Sequence, residues 1–421
     1  MFKKIIQYCL KFLSRRIIGK YQPEIIGITG SVGKTSAKLA VAAILSPDFQ
    51  VRSSPKNYNT ETGVPLTIIN AKNPGRSVFG WLTVFIRGLL LIIKRDVKYP
   101  HVLILEMAAD HPGDLDYLVK LAPPKVGIIT AIGPAHLEFF NTVENVAAEK
   151  KKIITTLNSR DFAVLNNDNP LTVELKNKTK AQVITVGLNS EAALFASDIV
   201  LDKEKYSLNF KLNYQGSFVP VNLENILGRP AVYAVLFGAA VGLIYGLNLV
   251  AIAAHLKKYQ SPAGRLKLLL GVKNTKIIDD TYNASPLSVK AALETLSHLN
   301  CQGRKFAVLG DMLELGALTK AAHAEIGEEV ARLGIDYFIA VGECSRHAAD
   351  AAKQYGMNED RIYAFDDSLA AGKFIQDKIE AGDLLLVKGS QGIRMEKIVK
   401  EIMAEPARAS ELLIRQGEEW E

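Results

Sequence analysis

Cysteine is scarce: three in 421 residues (Cys9, Cys301, Cys344), far apart and without a C-x-x-C pair. That excludes a disulfide-built fold, argues against structural zinc and favours a reducing, cytoplasmic setting. Long apolar runs are missing too. A bilayer-spanning helix needs about 20 apolar residues, whereas Val78 to Ile93 offers 16 and is interrupted by Arg87. It is expected to form a buried or interfacial helix. No repeat or low-complexity tract occurs, and a net charge of +7 is mild for this length. Such a charge suits an acidic substrate or a membrane surface at most, so no nucleic-acid partner is expected. Acids are absent from Met1 to Lys20, whose six basic residues are scattered rather than gathered before an apolar core. A cleavable signal is therefore not expected. On a helical wheel Phe2, Ile5, Ile6, Cys9, Leu10, Leu13 and Ile17 share a face, with Lys4, Lys11 and Arg15 opposite. Such a helix fits peripheral contact with an anionic membrane, or docking on its own domain.

With 48% hydrophobic and 23% charged residues, the remaining chain is globular, and its length suits two or three domains. Its organising stretch is Ile25-Ile26-Gly27-Ile28-Thr29-Gly30-Ser31-Val32-Gly33-Lys34-Thr35-Ser36. An apolar strand enters a glycine-rich turn, which opens an Ala-rich helix from Thr35 to Leu45. This is a phosphate cradle: amides at a helix start face an anion, and glycine lets the backbone approach it. Lys34 can reach the β- and γ-phosphates, and the Thr35 hydroxyl can hold Mg²⁺. The spacing reads T-G-x-x-G-K-T, with Ile28 where a strict Walker A motif has glycine.

Downstream, Val102 to Leu105 reads as a parallel strand ending on Glu106, and Val126 to Thr130 as another running toward His136. Ligand sites in open α/β sheets lie beyond the carboxyl ends of strands. That places Glu106 as an Mg²⁺ ligand and His136 as a metal or phosphate contact. Lys56 to Thr67 reads as a polar loop leading into an apolar turn, and Thr142 to Leu157 as one helix carrying Glu149-Lys150-Lys151-Lys152. Ala163 to Leu165 is a strand before an Asn166-Asn167-Asp168-Asn169-Pro170 turn. Gln182 to Leu223 suggests antiparallel strands at the sheet edge, and 228–258 a helical stretch broken at Gly246. The Ser/Pro/Gly cluster before Gly264 marks a boundary. Beyond it strands are expected at Lys276–Asp279, Lys305–Leu309, Tyr337–Val341, Arg361–Phe365 and Leu384–Lys388, with helices between them. The fold class is thus α/β: a central P-loop ATPase-type domain (23–260) with a mostly parallel sheet, and a Rossmann-like doubly wound domain (261–421). Residues 1–22 form the basic amphipathic helix.

Taken in order, these loops resemble the muramyl ligase family over about residues 23–403, most closely its D-alanyl-D-alanine-adding branch. The matching pieces are the P-loop, Asn57 to Thr67, Glu106 through Asp114, Ala135-His136-Leu137-Glu138, Gly264-Arg265, Asp279 to Pro286, Gly310-Asp311-Met312-Leu313-Glu314-Leu315-Gly316 and Lys388-Gly389-Ser390. The resemblance implies an ATP-dependent amide ligase. A substrate carboxylate takes the γ-phosphoryl group, and an amine then displaces phosphate from the acyl phosphate. It assigns Gly30, Ser31, Gly33, Lys34, Thr35, Ser36, Asn166, Arg265, Asp280 and Asn283 to ATP. Thr35 and Glu106 would hold one Mg²⁺ and His136 a second, helped by Lys150 as a carbamylated lysine, although Lys151 and Lys152 adjoin it. Lys34, His136, Lys150, Arg265 and Lys388 form the implied catalytic set, with Lys388 facing the substrate or the acyl phosphate.

Two departures stand out. The family's N-terminal UDP-gripping domain has no counterpart in the 22 residues before the ATP domain. Its G-x-H-N-x-x-N adenine segment reads Gly228-Arg229-Pro230-Ala231-Val232-Tyr233-Ala234. The expected substrates are a small-molecule or glycopeptide carboxylate and a dipeptide amine, used by a monomer. The same chemistry on a lipid-linked or folate-like acceptor, or a nucleotide-binding scaffold without turnover, are the competing readings.

Overall fold

The computed structural model describes residues 2–54 and 58–417, with side chains from residue 4. Lys56 and Asn57 of the predicted polar loop, and the side chain of Phe2, lie outside the described residues. Two sheets organise the chain. The first has nine strands: β1 (Glu24–Thr29), β2 (Val51–Ser53), β3 (Val102–Glu106), β4 (Val126–Ile129), β5 (Phe162–Asn166), β6 (Gln182–Gly187), β7 (Leu194–Asp202), β8 (Ser207–Tyr214) and β9 (Ser217–Glu224), in the order β2-β3-β1-β4-β5-β6-β7-β8-β9. From β2 to β7 every pairing is parallel, and β7-β8-β9 are antiparallel. The antiparallel expectation therefore holds for only part of 182–223: β6 joins the parallel set, with Phe162–Asn166 in register against Gln182–Val186.

The second sheet comprises β10 (Lys267–Leu270), β11 (Lys276–Asp280), β12 (Lys305–Gly310), β13 (Tyr337–Val341), β14 (Ile362–Phe365) and β15 (Leu384–Lys388), ordered β10-β11-β15-β12-β13-β14. Its central strands are buried apolar runs, as a parallel sheet covered on both faces requires. The sequence reading missed β10, a short antiparallel edge strand whose residues Lys267 to Leu270 pair with Asp279 to Lys276.

Helix α1 (Phe2–Tyr21) precedes the first sheet, and α2 (Lys34–Leu45) follows its P-loop. Next come α3 (Gly63–Ile69), wholly buried, then α4 (Val78–Ile93) and α5 (Asp114–Leu121). The apolar turn expected at 63–67 is therefore a helix, held by the core rather than by propensity. The helical stretch 228–258 is two helices, Arg229–Ile244 and Leu249–Leu256, parted at Gly246, whose φ is 82°. The first runs along α2, and Gly238 permits the approach: a Cβ there would lie 3.0 Å from the Ala40 backbone carbon. Thr142–Leu157 is likewise two segments, Val143–Lys150 and Lys152–Thr155, interrupted at Lys151.

The amphipathic face predicted for α1 does not meet a membrane. Ile6, Leu10, Leu13 and Ile17 are buried in one core with Trp81, Val84 and Leu91 of α4 and with α3, while Ile5 points away from it. Lys20 donates to the Leu91 and Ile92 carbonyls at 2.9 and 2.8 Å, tying the end of α1 to the end of α4. Because this face is core, Ile17→Val should cost about 0.5–1.5 kcal/mol of unfolding free energy. Urea melts would read the loss. No change in midpoint would mean that α1 is peripheral to the fold.

Candidate functional site

The P-loop emerges from the carboxyl end of β1, between β3 and β4. Gly30 is required there: its φ is 148°, and a Cβ would stand 2.0 Å from Thr130 Oγ1. Thr130 donates to the Val32 carbonyl at 2.5 Å, and Ser31 donates to the Gly133 carbonyl at 2.9 Å, so the segment that follows β4 fixes the loop. Gly33, at φ 83°, turns the chain into α2. Lys34 Nζ donates to the Gly30 carbonyl at 2.7 Å. Burial lowers its pKa, opposed by Glu106.

Glu106 ends β3, as the sequence placed it, and is buried. One carboxylate oxygen accepts from Thr35 Oγ1 at 3.0 Å and lies 3.3 Å from Lys38 Nζ, while the other accepts from Asn59 at 3.1 Å. Burial pushes its pKa up, but Lys38, Lys34 and the Asn59 bond outweigh that and hold it below the ordinary carboxylate value. Lys38 and Asn59 were not predicted. Lys38 sits one helical turn beyond Lys34, so the i, i+4 spacing was the available signal.

His136 Nδ1 lies 2.6 Å from Glu314 Oε2 and Nε2 lies 3.4 Å from Asp110 Oδ1. It thus bridges the loop after β3 to the loop after β12. Glu314's pKa is lowered by this hydrogen bond. Lys150 is buried, and burial with Lys34 nearby lowers its pKa to about 7, against the pull of Asp110 and Glu149. Lys151 is exposed and Lys152 pairs with Glu149 at 2.7 Å. Of the three lysines, only Lys150 is buried where it feels both Lys34 and Asp110.

From the second sheet, Asp279 accepts the Gly264 amide at 3.0 Å and Asp280 accepts the Leu266 amide at 3.2 Å, which clamps Arg265 between them. Arg265 stacks over Tyr282, with its guanidinium carbon 3.8 Å from the ring centroid, and its Nε is buried without a hydrogen-bond partner. Lys388 and Asp280 form a buried pair at 2.7 Å. Burial lowers the lysine's pKa and raises the aspartate's, each opposed by the other's charge. Lys388 also donates to the Asn283 carbonyl at 2.8 Å.

Lys34, Thr35, Glu106, His136 and Lys150 are not in the lining of the neighbouring cleft of about 290 Å³, which Gly33, Ser36, Asn166, Arg265, Asp280 and Lys388 help to line. Asn283 does not: it offers its backbone carbonyl to Lys388, and its side chain is exposed. The cleft is also lined by Pro230, Ala231, Ala234 and Phe237, with Arg229 and Tyr233. Tyr233 donates to Asp168 at 2.8 Å. The segment lacking the family's His and Asn therefore still faces the cleft, with a tyrosine–aspartate pair that sequence reading did not single out. A second cleft, about 550 Å³, is lined by Gln7 of α1, Glu61, Asp110, His111 and Tyr117.

Thr35 and Glu106 present hard oxygen donors at the start of α2, a set that fits Mg²⁺. No cluster of three or more His, Cys, Asp or Glu residues among the described residues is placed to hold a metal. The carboxylates of Asp110 and Glu314 already stand beside His136, and Lys150 would add a further anion only as a carbamate.

The Mur ligase middle domain family matches residues 83–242, and the Mur ligase glutamate ligase domain family matches 264–391. A UDP-N-acetylmuramoyl-tripeptide–D-alanyl-D-alanine ligase of Mycobacterium tuberculosis is 31% identical over 400 residues, spanning 90% of this chain and 73% of its own. The protein of that name from Bacillus subtilis is 28% identical, spanning 94% and 79%. Among solved structures, the MurF ligase of Thermotoga maritima in complex with ADP superposes with a TM-score of 0.76 at 26% identity, covering 94% of this chain and 83% of that one.

Proposed function

The chain belongs to the Mur ligase family of ATP-dependent, ADP-forming amide ligases, and from that premise we propose that it adds D-alanyl-D-alanine to the free carboxylate of a cell-wall precursor peptide. The observation that carries this reading is the convergence on one cleft of the P-loop and of Arg265 and Lys388 from the second sheet. In the first step a carboxylate oxygen bonds to the γ-phosphorus of ATP while the bond to the β–γ bridging oxygen breaks, releasing ADP. In the second, the amine nitrogen attacks the acyl carbon, the carbon–oxygen bond to phosphate breaks, and the nitrogen gives up a proton.

Phosphoryl transfer is mostly positioning and charge neutralisation. The amides of Val32, Gly33 and Lys34 and the Lys34 ammonium hold the β- and γ-phosphates, while the Ser31 amide is spent on the Ala131 carbonyl. Arg265, whose buried Nε is unpartnered, supplies a second cation from the segment before the second sheet. Thr35 and Glu106 would hold Mg²⁺, which when bound neutralises phosphate charge. Lys388, kept in place by Asp280 and the Asn283 carbonyl, meets the acyl phosphate. Asn166, Asp168 and Tyr233 face the nucleoside. His136 orients the loop carrying Asp110 toward the loop carrying Glu314.

The test is ADP release with UDP-N-acetylmuramoyl-tripeptide and D-alanyl-D-alanine, run beside a panel of other carboxylates and amines. ADP and a new amide in equal amounts, dependent on both substrates, is the expected result. Release with glutamate and a folate-like acceptor instead would place the chain in another branch of the same chemistry. No release with any pair would overturn the catalytic reading.

A further inference from the structure

Burying the inner face of α1 against α4 leaves an unusual outer one. In an ordinary surface helix the face opposite the core is polar. In α4 the outward positions are Val78, Phe79, Leu82, Ile86, Leu89, Leu90 and Ile93, and all are exposed. Phe79 is 84% and Ile93 79% exposed. The helix's one charge, Arg87, is turned aside to the Ile69 carbonyl at 3.0 Å. On neighbouring α1, Ile5, Tyr8 and Phe12 are exposed at the same i, i+3, i+7 spacing. Together with Val97, these positions hold half of the exposed large apolar side chains among the described residues. Scattered surface hydrophobics need no explanation; a concentration of this kind marks an interaction surface.

Charge identifies the occupant. Between Lys72 and Lys98 the sequence has six basic residues and one acid, Asp96, and α1 has no acid. Arg76 stands exposed just before α4, and Lys94, Arg95 and Lys98 just after it. Lys4 and Arg16 are exposed on α1. An apolar strip with cations at both ends fits an anionic lipid bilayer, whose headgroups meet the cations while the side chains enter the acyl boundary. At 1.5 Å per residue α4 is about 24 Å long, shorter than the ~30 Å hydrocarbon core, so it would lie in the interface. No helix among the described residues is long and apolar enough to cross a membrane. We propose that the outer face of the α1–α4 pair is a docking surface for an anionic membrane, independent of which acceptor the ATP site uses.

Flotation of the full chain with vesicles tests this. The protein should rise with vesicles of phosphatidylcholine and phosphatidylglycerol, less with phosphatidylcholine alone, and less at high salt. Phe79→Asp with Leu90→Asp should cut the partition roughly tenfold or more per side chain. Lys94→Glu with Arg95→Glu should cut it about fivefold per charge. All four positions are exposed, so the variants should keep the wild-type melting temperature and ADP release in solution. That separates failure of docking from failure of the ATP site. If the full chain stays in the soluble fraction with anionic vesicles at low salt, the proposal is overturned. It is equally overturned if the aspartate variants still float, or if these substitutions instead abolish a vesicle-free dimer.

Discussion

Lys34→Ala is expected to lower acceptor-dependent ADP release by about 10²–10³-fold without unfolding the protein. The Lys34 ammonium donates to the carbonyl of Gly30, in its own loop. Its charge is already half-buried, so moving it to a phosphate oxygen exchanges one protein contact for a stronger one. The contact grows as charge shifts onto the transferring phosphoryl group, which is why the effect should fall on kcat more than on ATP affinity. The fold should survive, because the loop is also fixed by Thr130 and Ser31. Lys34→Arg keeps the charge but not the shape of the ammonium, and should recover only part of the rate. Single-turnover ADP release, with circular dichroism as the folding control, decides. A folded Lys34→Ala protein turning over near the wild-type rate would be incompatible with this site.

The legible parts of the site are those where backbone topology alone fixes a side chain. Lys34, Thr35 and Glu106 lie at a strand–turn–helix or a strand end, and parallel pairing brings those ends to one edge. What packing decides was not legible. Lys38 follows Lys34 by one turn and meets Glu106 only because α2 lies over β3. Asn59 comes from a segment that reads as loop and is held by a buried helix. Asn283 lies in a motif that suggests a side-chain contact, while its carbonyl accepts from Lys388 and its side chain is exposed. The α1 wheel correctly gathered Ile6, Leu10, Leu13 and Ile17, but a wheel cannot say what covers a face. Here α4 covers it, and the opposite faces become the surface of interest.

The lysine run 150–152 is where packing settles what spacing left open. Lys150 is buried and its pKa is about 7, whereas Lys151 is exposed and Lys152 is paired with Glu149. A lysine near 7 is about half neutral at neutral pH, and the neutral amine adds carbon dioxide: a nitrogen–carbon bond forms, a proton leaves, and a carbamate anion results. That anion would relieve the repulsion from Lys34 and add a donor for a second ion to those of His136 and Asp110. Lys150→Ala should therefore lose most of its ADP release, and short carboxylates such as acetate should restore part of it. Lys151→Ala should keep near wild-type activity and show no such rescue. The pH dependence has a definite sign. Below pH 7 the ammonium form dominates and cannot add carbon dioxide, so activity limited by the carbamate should fall as pH drops through about 7. Added bicarbonate should oppose that fall in the wild type and, as a short anion, restore part of the activity of Lys150→Ala. If Lys151→Ala instead shows the loss and the carboxylate rescue, the anion is carried by the neighbouring residue, and the burial of Lys150 serves packing alone.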